Sequence, residues 1–254
     1  MSQSDKARAF TALHVKGDPL ILYNIWDAGS AKAVADGGAR ALATGSWSVA
    51  AAHGFGDGQK IPLDLLTTVA ERIASAVDLP LSVDFEGAYS NDPQGAAENV
   101  GRVLDAGAIG INFEDQMVGG DGLHAIRDQS ARIAAIRQAA ENKGVPLFIN
   151  ARTDLFLKEG DRSLHAGLLA EAKDRASAYT DAGASGFFAP GLIDEALIED
   201  LCAATALPVN IMAMTAAPDA KRLGACGVAR ISHGPGPYRA AMARLQEAAA
   251  AIYG

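Results

Sequence analysis

The chain alternates regularly between short apolar segments and longer segments of helical periodicity, and this alternation constrains its fold more than any other feature. The short segments are rich in β-branched residues, which is typical of buried strands. Eight such strands are predicted, at Leu20–Trp26, Ala41–Ser46, Leu81–Glu86, Ile109–Glu114, Leu147–Arg152, Gly186–Ala189, Val209–Ala213 and Val228–Ser232. Eight helices are predicted after them, at Ser30–Asp36, Pro62–Ala76, Pro93–Ala106, Asp128–Asn142, Ser163–Ala182, Asp194–Ala204, Ala217–Leu223 and Tyr238–Ile252.

Eight strand–helix units within 254 residues predict an α/β fold, a single (β/α)8 TIM barrel with an additional N-terminal helix. A doubly wound nucleotide-binding fold would carry a GxGxxG motif after its first strand, and Asn24–Ser30 has none. We expect one domain over residues 1–254. Residues 1–17 would hold an amphipathic helix, Ser4–Val15, that caps the bottom of the barrel, and residues 235–254 would form the last barrel helix.

The net charge of the chain is -8, with 22 Lys and Arg against 30 Asp and Glu. This acidic balance argues against a nucleic-acid partner and disfavours an anionic ligand unless a metal ion mediates its binding. The sequence has no apolar run long enough for a membrane helix and no apolar segment near Met1, so we expect a cytoplasmic protein without a membrane partner. Cys202 and Cys226 lie outside any metal-ligand spacing, and the chain has no HExxH motif, which disfavours a zinc hydrolase.

Acidic residues lie where several of the predicted strands end, which is where barrel enzymes place their active sites. Asp84 and Glu86 end the third strand, Glu114 ends the fourth, and Asp57 lies in the loop after the second. Carboxylates that lie together repel one another, and a hard divalent cation removes the repulsion. The sequence therefore predicts a Mg²⁺ site around Asp84, with Arg152 at the end of the fifth strand to bind a substrate carboxylate or phosphonate.

Simpler interpretations of these residues stay open. Asp57 lies between two glycines and fits a turn residue almost as well as a site residue. Glu114 can form a structural ion pair with Arg152 on the neighbouring strand. Trp47, after the second strand, fits either core packing or a wall of the pocket. The Gly-Pro-Gly-Pro run that follows His233 fits a plain turn better than a phosphate site.

Three motifs that occur in order on successive strands resemble the isocitrate lyase/phosphoenolpyruvate mutase superfamily. They are VDFEGAY from Val83, INFEDQ from Ile111 and INARTD from Ile149, and the resemblance extends over nearly the whole chain. It implies a (β/α)8 barrel that binds Mg²⁺, or Mn²⁺ in its place, with a 2-oxo acid or an enolate and without an organic cofactor. Members of the superfamily make or break C–C or P–C bonds next to the oxo acid.

The resemblance also implies roles for individual residues. Asp84 resembles the direct metal ligand. The residues that hold the waters of the metal are Asp57, Glu86 and Glu114. The residues that contact the substrate are Arg152, the backbone N–H groups of Ser46 and Trp47, and Asn210. Ser46 and Trp47 would stabilise the negative charge that develops on the oxo oxygen when the bond breaks.

The lid predicted after the fourth strand, Met117–His124, is short and glycine-rich and has neither cysteine nor lysine. Superfamily lyases that act on isocitrate or methylisocitrate have a cysteine in this lid, so we expect a different reaction here. A decarboxylation or retro-aldol cleavage of a small dicarboxylic 2-oxo acid such as oxaloacetate fits best, with the proton supplied by water or by His124. The alternatives are hydrolysis or mutation of a P–C bond in a phosphonopyruvate-like substrate, and binding of a 2-oxo acid without turnover.

The resemblance further implies a homo-oligomer, a dimer or tetramer. Only Gly234–Gly254 follows the last predicted strand, which is about enough for one helix. We therefore do not expect extensive exchange of the last helix between subunits.

Overall fold

Eight parallel strands form a barrel in the computed structural model, which describes all residues from 1 to 254. The strands are β1 (Leu20–Leu22), β2 (Leu42–Ala43), β3 (Leu81–Asp84), β4 (Gly110–Glu114), β5 (Phe148–Arg152), β6 (Gly186–Phe188), β7 (Val209–Met212) and β8 (Arg230–Ser232). Each strand pairs with its neighbours in sequence from β2 to β8, and β8 pairs with β1. A parallel bridge between Ile25 and Thr44 joins β1 to β2 and closes the barrel, which confirms the predicted fold class.

Eleven α-helices accompany the strands, and all except α1, which precedes β1, follow a strand. They are α1 (Gln3–Ala12), α2 (Ala28–Asp36), α3 (Ser46–Ala52), α4 (Leu63–Ala76), α5 (Pro93–Asp105), α6 (Ile126–Asn142), α7 (Leu155–Lys158), α8 (His165–Asp181), α9 (Glu195–Ala204), α10 (Ala220–Ala225) and α11 (Gly236–Tyr253). All eight predicted barrel helices are present. Two short helices, α3 and α7, were not predicted, and Ser46 was wrongly assigned to the second strand because it begins α3.

Local signals explain where several helices begin. The carboxylate of Asp27 accepts a hydrogen bond from the backbone N–H of Ser30 at 2.7 Å and caps α2. Asp92 caps α5 through the N–H of Gly95 at 2.8 Å, and Pro93 occupies the first helical position. Both acidic residues satisfy N–H groups that have no acceptor within the helix. The side chains of Asp27 and Asp92 are therefore helix caps and not part of the acidic site.

The additional helix α1 packs against the amino-terminal ends of β4 and β5, where Phe10 contacts Gly110 and Phe148. Phe10 is fully buried, and its ring centre lies 5.3 Å from that of Phe148, the first residue of β5. The ring of His14 stacks on Phe148 at 4.1 Å. Burial lowers the pKa of His14 to about 3, so this imidazole is a neutral part of the barrel floor.

The interior of the barrel carries polar side chains above this floor. The guanidinium of Arg230, on β8, is fully buried and donates from Nη2 to Oδ1 of Asn112 at 3.1 Å. Nδ2 of Asn150 donates to the same oxygen at 2.9 Å. Burial lowers the pKa of Arg230 to about 9, and the negative charge of Asp84 opposes the shift. The apolar core, in contrast, comprises 54 buried residues.

The last helix is the most exposed of the long helices. Pro237 is the one residue of α11 that is buried, whereas Met242, Leu245, Ile252 and Tyr253 are exposed. On β1, which neighbours the strand before this helix, Ile21 is 42% exposed although it occupies the middle of the strand. None of the helices combines the length and the apolar composition that crossing a bilayer requires.

Candidate active site

A cavity of about 210 Å³ opens at the carboxyl ends of the barrel strands. This volume is below the roughly 300–1,000 Å³ of pockets for drug-sized ligands, so the cavity suits a small molecule. Its lining residues are Asn24, Gly45, Ser46, Trp47, Asp57, Asp84, Asn112, Arg152, Leu157, Phe188, Pro190, Met212, Ser232, Gly234 and Pro235. Five of the predicted site residues thus meet in one cavity: Ser46, Trp47, Asp57, Asp84 and Arg152.

Asp84 ends β3 at the floor of the cavity, and both of its carboxylate oxygens are held. Oδ2 accepts a hydrogen bond from the backbone N–H of Ser46 at 2.9 Å, and Oδ1 accepts one from Nδ2 of Asn112 at 3.4 Å. The oxygen of the Asn112 amide accepts from Arg230 and Asn150, which turns its nitrogen toward Asp84. The orientation of this carboxylate is therefore set from inside the barrel.

Glu86 lies in a strained loop beside Asp84. Its backbone is left-handed, with φ at 48°, an unusual conformation for a residue with a side chain. Its Oε2 accepts a hydrogen bond from the N–H of Gln59 at 2.8 Å. Burial, with repulsion from Asp84 and Asp57, raises the pKa of Glu86 to about 8.

Asp57 lies at the exposed rim of the cavity, in the loop between α3 and α4. Loss of surrounding water, followed by repulsion from Asp84, raises the pKa of Asp57, and Arg152 opposes this shift. Repulsion from Asp84 adds to burial in raising both pKa values, so Asp57 and Glu86 lie close enough to Asp84 for their charges to interact. That Asp57 and Glu86 hold the waters of a metal ion at Asp84 stays a prediction.

Arg152 ends β5 and is held by two carboxylates. Its Nε and Nη2 donate to the two oxygens of Asp154 at 2.5 and 2.9 Å, and its Nη1 lies 3.0 Å from Oε2 of Glu114. Glu114 and Arg152 are paired in the register of β4 and β5, which brings the two side chains together. The structural ion pair that the sequence left open is thus present. Burial nevertheless raises the pKa of Glu114, and Arg152 opposes the rise.

Four predicted site residues lie outside the cavity lining: Glu86 and Glu114, described above, and Asn210 and His124. Asn210 is the second residue of β7 rather than its last, and its buried amide donates to Oγ of Ser232, which does line the cavity. His124 ends the lid segment, where an antiparallel bridge joins Gln116 to Leu123. Burial lowers the pKa of His124 below its ordinary value, so the ring is neutral at neutral pH.

Two features of the site were not predicted. Asn24 lines the cavity, and its Oδ1 accepts from the N–H groups of His233 and Gly234, both at 2.8 Å. Asp115 is fully buried and accepts from Arg175 at 3.0 Å and from the N–H of Asp154 at 3.1 Å. The sequence does show that Asp115 follows Glu114 as a second acidic residue. It does not show the partner of Asp115, because Arg175 lies 60 residues away on α8.

The carboxylates do not gather into a compact metal cage. No group of three or more His, Cys, Asp or Glu side chains is close enough to hold a metal ion directly. A cation at this site would therefore take few protein ligands and keep most of its waters, as Mg²⁺ commonly does.

A (β/α)8 barrel with carboxylates and an arginine at the carboxyl ends of its strands belongs to the class of barrel enzymes. Residues 10–253 match the sequence profile of the family described as phosphoenolpyruvate phosphomutase. The chain belongs to this family, within the isocitrate lyase/phosphoenolpyruvate mutase superfamily, and is an enzyme of that superfamily. The resemblance identified from the sequence is thus confirmed.

Known proteins with the same fold are similar over most of the chain. A crystal structure from Burkholderia cenocepacia J2315, provisionally assigned as a phosphonomutase, is 49% identical, with a TM-score of 0.96 and 100% of both chains covered. The 2-methylisocitrate lyase of Escherichia coli K12 is 30% identical over 86% of this chain and 74% of its own length. A phosphonopyruvate hydrolase in complex with oxalate and Mg²⁺ shares the fold, with a TM-score of 0.83 at 22% identity over 98% and 87% of the two chains.

Proposed function

We propose that the protein is a Mg²⁺-dependent lyase that cleaves, or in reverse forms, a C–C bond next to a small 2-oxo acid. Decarboxylation or retro-aldol cleavage of an oxaloacetate-like substrate is the reaction that we favour. The observation that carries the proposal is the gathering of Asp57, Asp84 and Glu86 beside Arg152 at a cavity of about 210 Å³. The carboxylates supply negative charge that a bound metal ion can balance. The guanidinium of Arg152 supplies a positive charge that can bind the carboxylate of a substrate.

The donor set fits a hydrated Mg²⁺. Asp84 is the carboxylate at the cavity floor and would be the direct ligand, while Asp57, Glu86 and Glu114 would hold coordinated waters. Burial and repulsion from Asp84 and Asp57 raise the pKa of Glu86 to about 8, so a cation that balanced these charges would favour its ionised form. When bound, Mg²⁺ supplies Lewis-acid stabilisation of the charge that develops on an oxo oxygen. The complex of the hydrolase relative with oxalate and Mg²⁺ supports this choice of ion.

Substrate binding, stabilisation of the enolate and proton transfer are assigned to other groups at the site. Arg152 lies at the cavity with its guanidinium fixed by Asp154, so it can bind the substrate carboxylate in one orientation. The N–H of Trp47, at the start of α3, has no acceptor within the helix and lies at the cavity wall, where it can stabilise an enolate oxygen. The N–H of Ser46 donates to Asp84 at 2.9 Å, so it would act on the substrate only once a bound cation had taken over that carboxylate oxygen. We propose water as the proton donor, because His124 lies outside the cavity lining and its pKa is lowered.

Substitution of Asp84 by asparagine tests the proposal. The variant keeps the shape of the side chain and removes its charge, so we expect pyruvate release from oxaloacetate with Mg²⁺ to fall by at least about 100-fold. Asp36→Asn, at an exposed position on α2, is the matched control and should retain the activity of the wild type. Undiminished turnover by Asp84→Asn would contradict the assignment of the site.

A second candidate is hydrolysis or mutation of a P–C bond. The 49% identity with the Burkholderia protein assigned as a phosphonomutase favours it. Phosphate release from phosphonopyruvate, measured with the same Asp84→Asn variant, separates this reaction from the C–C lyase.

A further inference from the structure

One side of the cavity is apolar. Leu157, Phe188, Pro190 and Met212, which we call the apolar wall, come from α7 and from the ends of β6 and β7. Phe188 is 4% exposed, and its ring centre lies 5.9 Å from Cζ of Arg152. The carboxylates of Asp57 and Asp84 belong to the opposite part of the barrel, at β2 and β3. A substrate held between Asp84 and Arg152 therefore has its far end toward the apolar wall.

The cavity lining offers no second cation for that far end. Its charged side chains are Asp57, Asp84 and Arg152. Three of the five N–H groups of Arg152 already point to Asp154 and Glu114. A bound Mg²⁺ and Arg152 together could bind one carboxylate and one oxo group of the substrate. A further carboxylate or a phosphonate at the far end would lose its water against the apolar wall without gaining a cationic partner, since the nearby Ser232 offers only a neutral hydroxyl, and this is unfavourable.

We infer that the far half of the substrate meets the apolar wall and leaves uncharged, as CO₂ or as an aldehyde. This inference rests on the proposed function and specifies its substrate class. A lyase that released a dicarboxylate, or an enzyme that transferred a phosphoryl group, would need a cation where this chain has Leu157, Phe188 and Met212. An alkyl group at the same position gains about fourfold in affinity for each CH₂ that the wall buries.

Both cleavages need no oxidant or reductant. In a decarboxylation, the C3–C4 bond breaks and its electron pair forms the enolate of pyruvate. C4 leaves as CO₂, and C3 then takes a proton from water. A carboxylate that faces apolar side chains is destabilised, and its charge disappears from that position as CO₂ forms. In a retro-aldol cleavage of a 4-hydroxy-2-oxo acid, the C4 hydroxyl gives up its proton to water, the C3–C4 bond breaks, and C4 leaves as the carbonyl carbon of an aldehyde. The electron pair again goes to the enolate, and C3 is protonated.

Binding of two ligands of equal length tests the inference separately from catalysis. 2-Oxopentanoate and 2-oxoglutarate share the oxo-acid head and differ at the far end, which is a methyl group in one and a carboxylate in the other. Calorimetry with Mg²⁺ should show 2-oxopentanoate binding at least about fivefold tighter, since the carboxylate has no cationic partner at the wall.

Leu157→Arg should change this preference. Leu157 is 40% exposed, so the position can accept a long charged side chain. A cation at the rim of the wall should shift the affinity ratio toward 2-oxoglutarate by about twofold to fivefold, the range of an exposed ion pair. Leu157→Gln, which adds polarity without charge, is the control and should leave the ratio near that of the wild type.

The outcomes separate the inference from the proposed function. Tighter binding of 2-oxoglutarate to the wild type, or no binding of either ligand, overturns the inference. If oxaloacetate turnover still depends on Asp84 in that case, the proposed lyase function is supported although the inference about the apolar wall is rejected. A preference for 2-oxopentanoate that is reduced in Leu157→Arg supports the inference. If the protein shows this preference but does not turn over oxaloacetate, the lyase function is refuted, and the inference that the wall binds uncharged groups is retained.

Discussion

Replacement of Glu86 by glutamine should stabilise the metal-free protein at alkaline pH. Burial and the charges of Asp84 and Asp57 raise the pKa of Glu86 from 4.5 to about 8. Between these two values the folded protein holds a proton that the unfolded chain has released, so the free energy of unfolding falls as the pH rises. At about 1.4 kcal/mol per pKa unit, the total loss is at most about 5 kcal/mol.

The contribution of Glu86 is fully present below pH 4.5 and lost by about pH 8, so the comparison needs both ends of this window. Glutamine cannot ionise, and its side-chain oxygen can still accept the hydrogen bond from Gln59. Urea unfolding with EDTA at pH 5 and pH 8 should therefore show a stability advantage for Glu86→Gln that grows by about 2–4 kcal/mol. Comparison with the wild type at each pH cancels the titration of other groups.

The exposed Glu71 on α4 provides the control, because Glu71→Gln removes a carboxylate that has no buried contact. This variant should follow the wild type across the pH range. Mg²⁺ added at pH 8 should stabilise the wild type more than Glu86→Gln, since the cation favours the ionised form. Parallel stability curves for the wild type and Glu86→Gln from pH 5 to pH 8 would refute the argument.

Three other substitutions test the contacts of the site and the exposed last helix. Arg152→Lys cannot make the two parallel hydrogen bonds to Asp154, so kcat/KM for pyruvate release should fall at least about tenfold, and an unchanged value would contradict the role of the guanidinium. Arg175→Met leaves the buried carboxylate of Asp115 without its ion pair and should lower the free energy of unfolding by about 3–5 kcal/mol in urea titrations, whereas a change near zero would refute this account. Because Leu245 and much of α11 are exposed, light scattering should give a mass above the 26.1 kDa of one chain, and Leu245→Glu should reduce it. A wild-type protein of 26.1 kDa would make the homo-oligomer prediction wrong.

The sequence was sufficient to predict the barrel and the position of the acidic site. The carboxyl ends of parallel strands meet at one end of a barrel, so a residue at the end of a strand is located as soon as the strand is recognised. Asp84 and Arg152 each end a strand whose apolar character is clear, and both line the cavity. The two side chains converge because of the barrel topology. That topology can be predicted from the alternation of strands and helices along the sequence.

Short elements and buried polar contacts were beyond the same reasoning. Helix α3 has seven residues and α7 has four, too few for a helical period to be distinguished from a loop. The fully buried guanidinium of Arg230 contacts Asn112, 118 residues away, and no local pattern encodes such a pairing. The orientation of Asp154 toward Arg152 is likewise set by Asp115 and α8, which only the folded chain brings together.

The closure of the barrel at β1 and β2 has a consequence for how the molecule opens. The seam consists of Ile25 N–H to Ala43 O at 2.9 Å, Gly45 N–H to Ile25 O at 3.2 Å and the side chain of Asn24 on Thr44 O at 2.8 Å. Asn24 and Gly45 also line the cavity, so the line of fewest backbone hydrogen bonds in the sheet runs into the wall of the site. Amide hydrogens along this seam should exchange with solvent before those of β3–β5, because few bonds must break for it to part. The cavity thus borders the stretch of the sheet that we expect to open first, and opening there would expose Ile25 and Ala43 of the buried core.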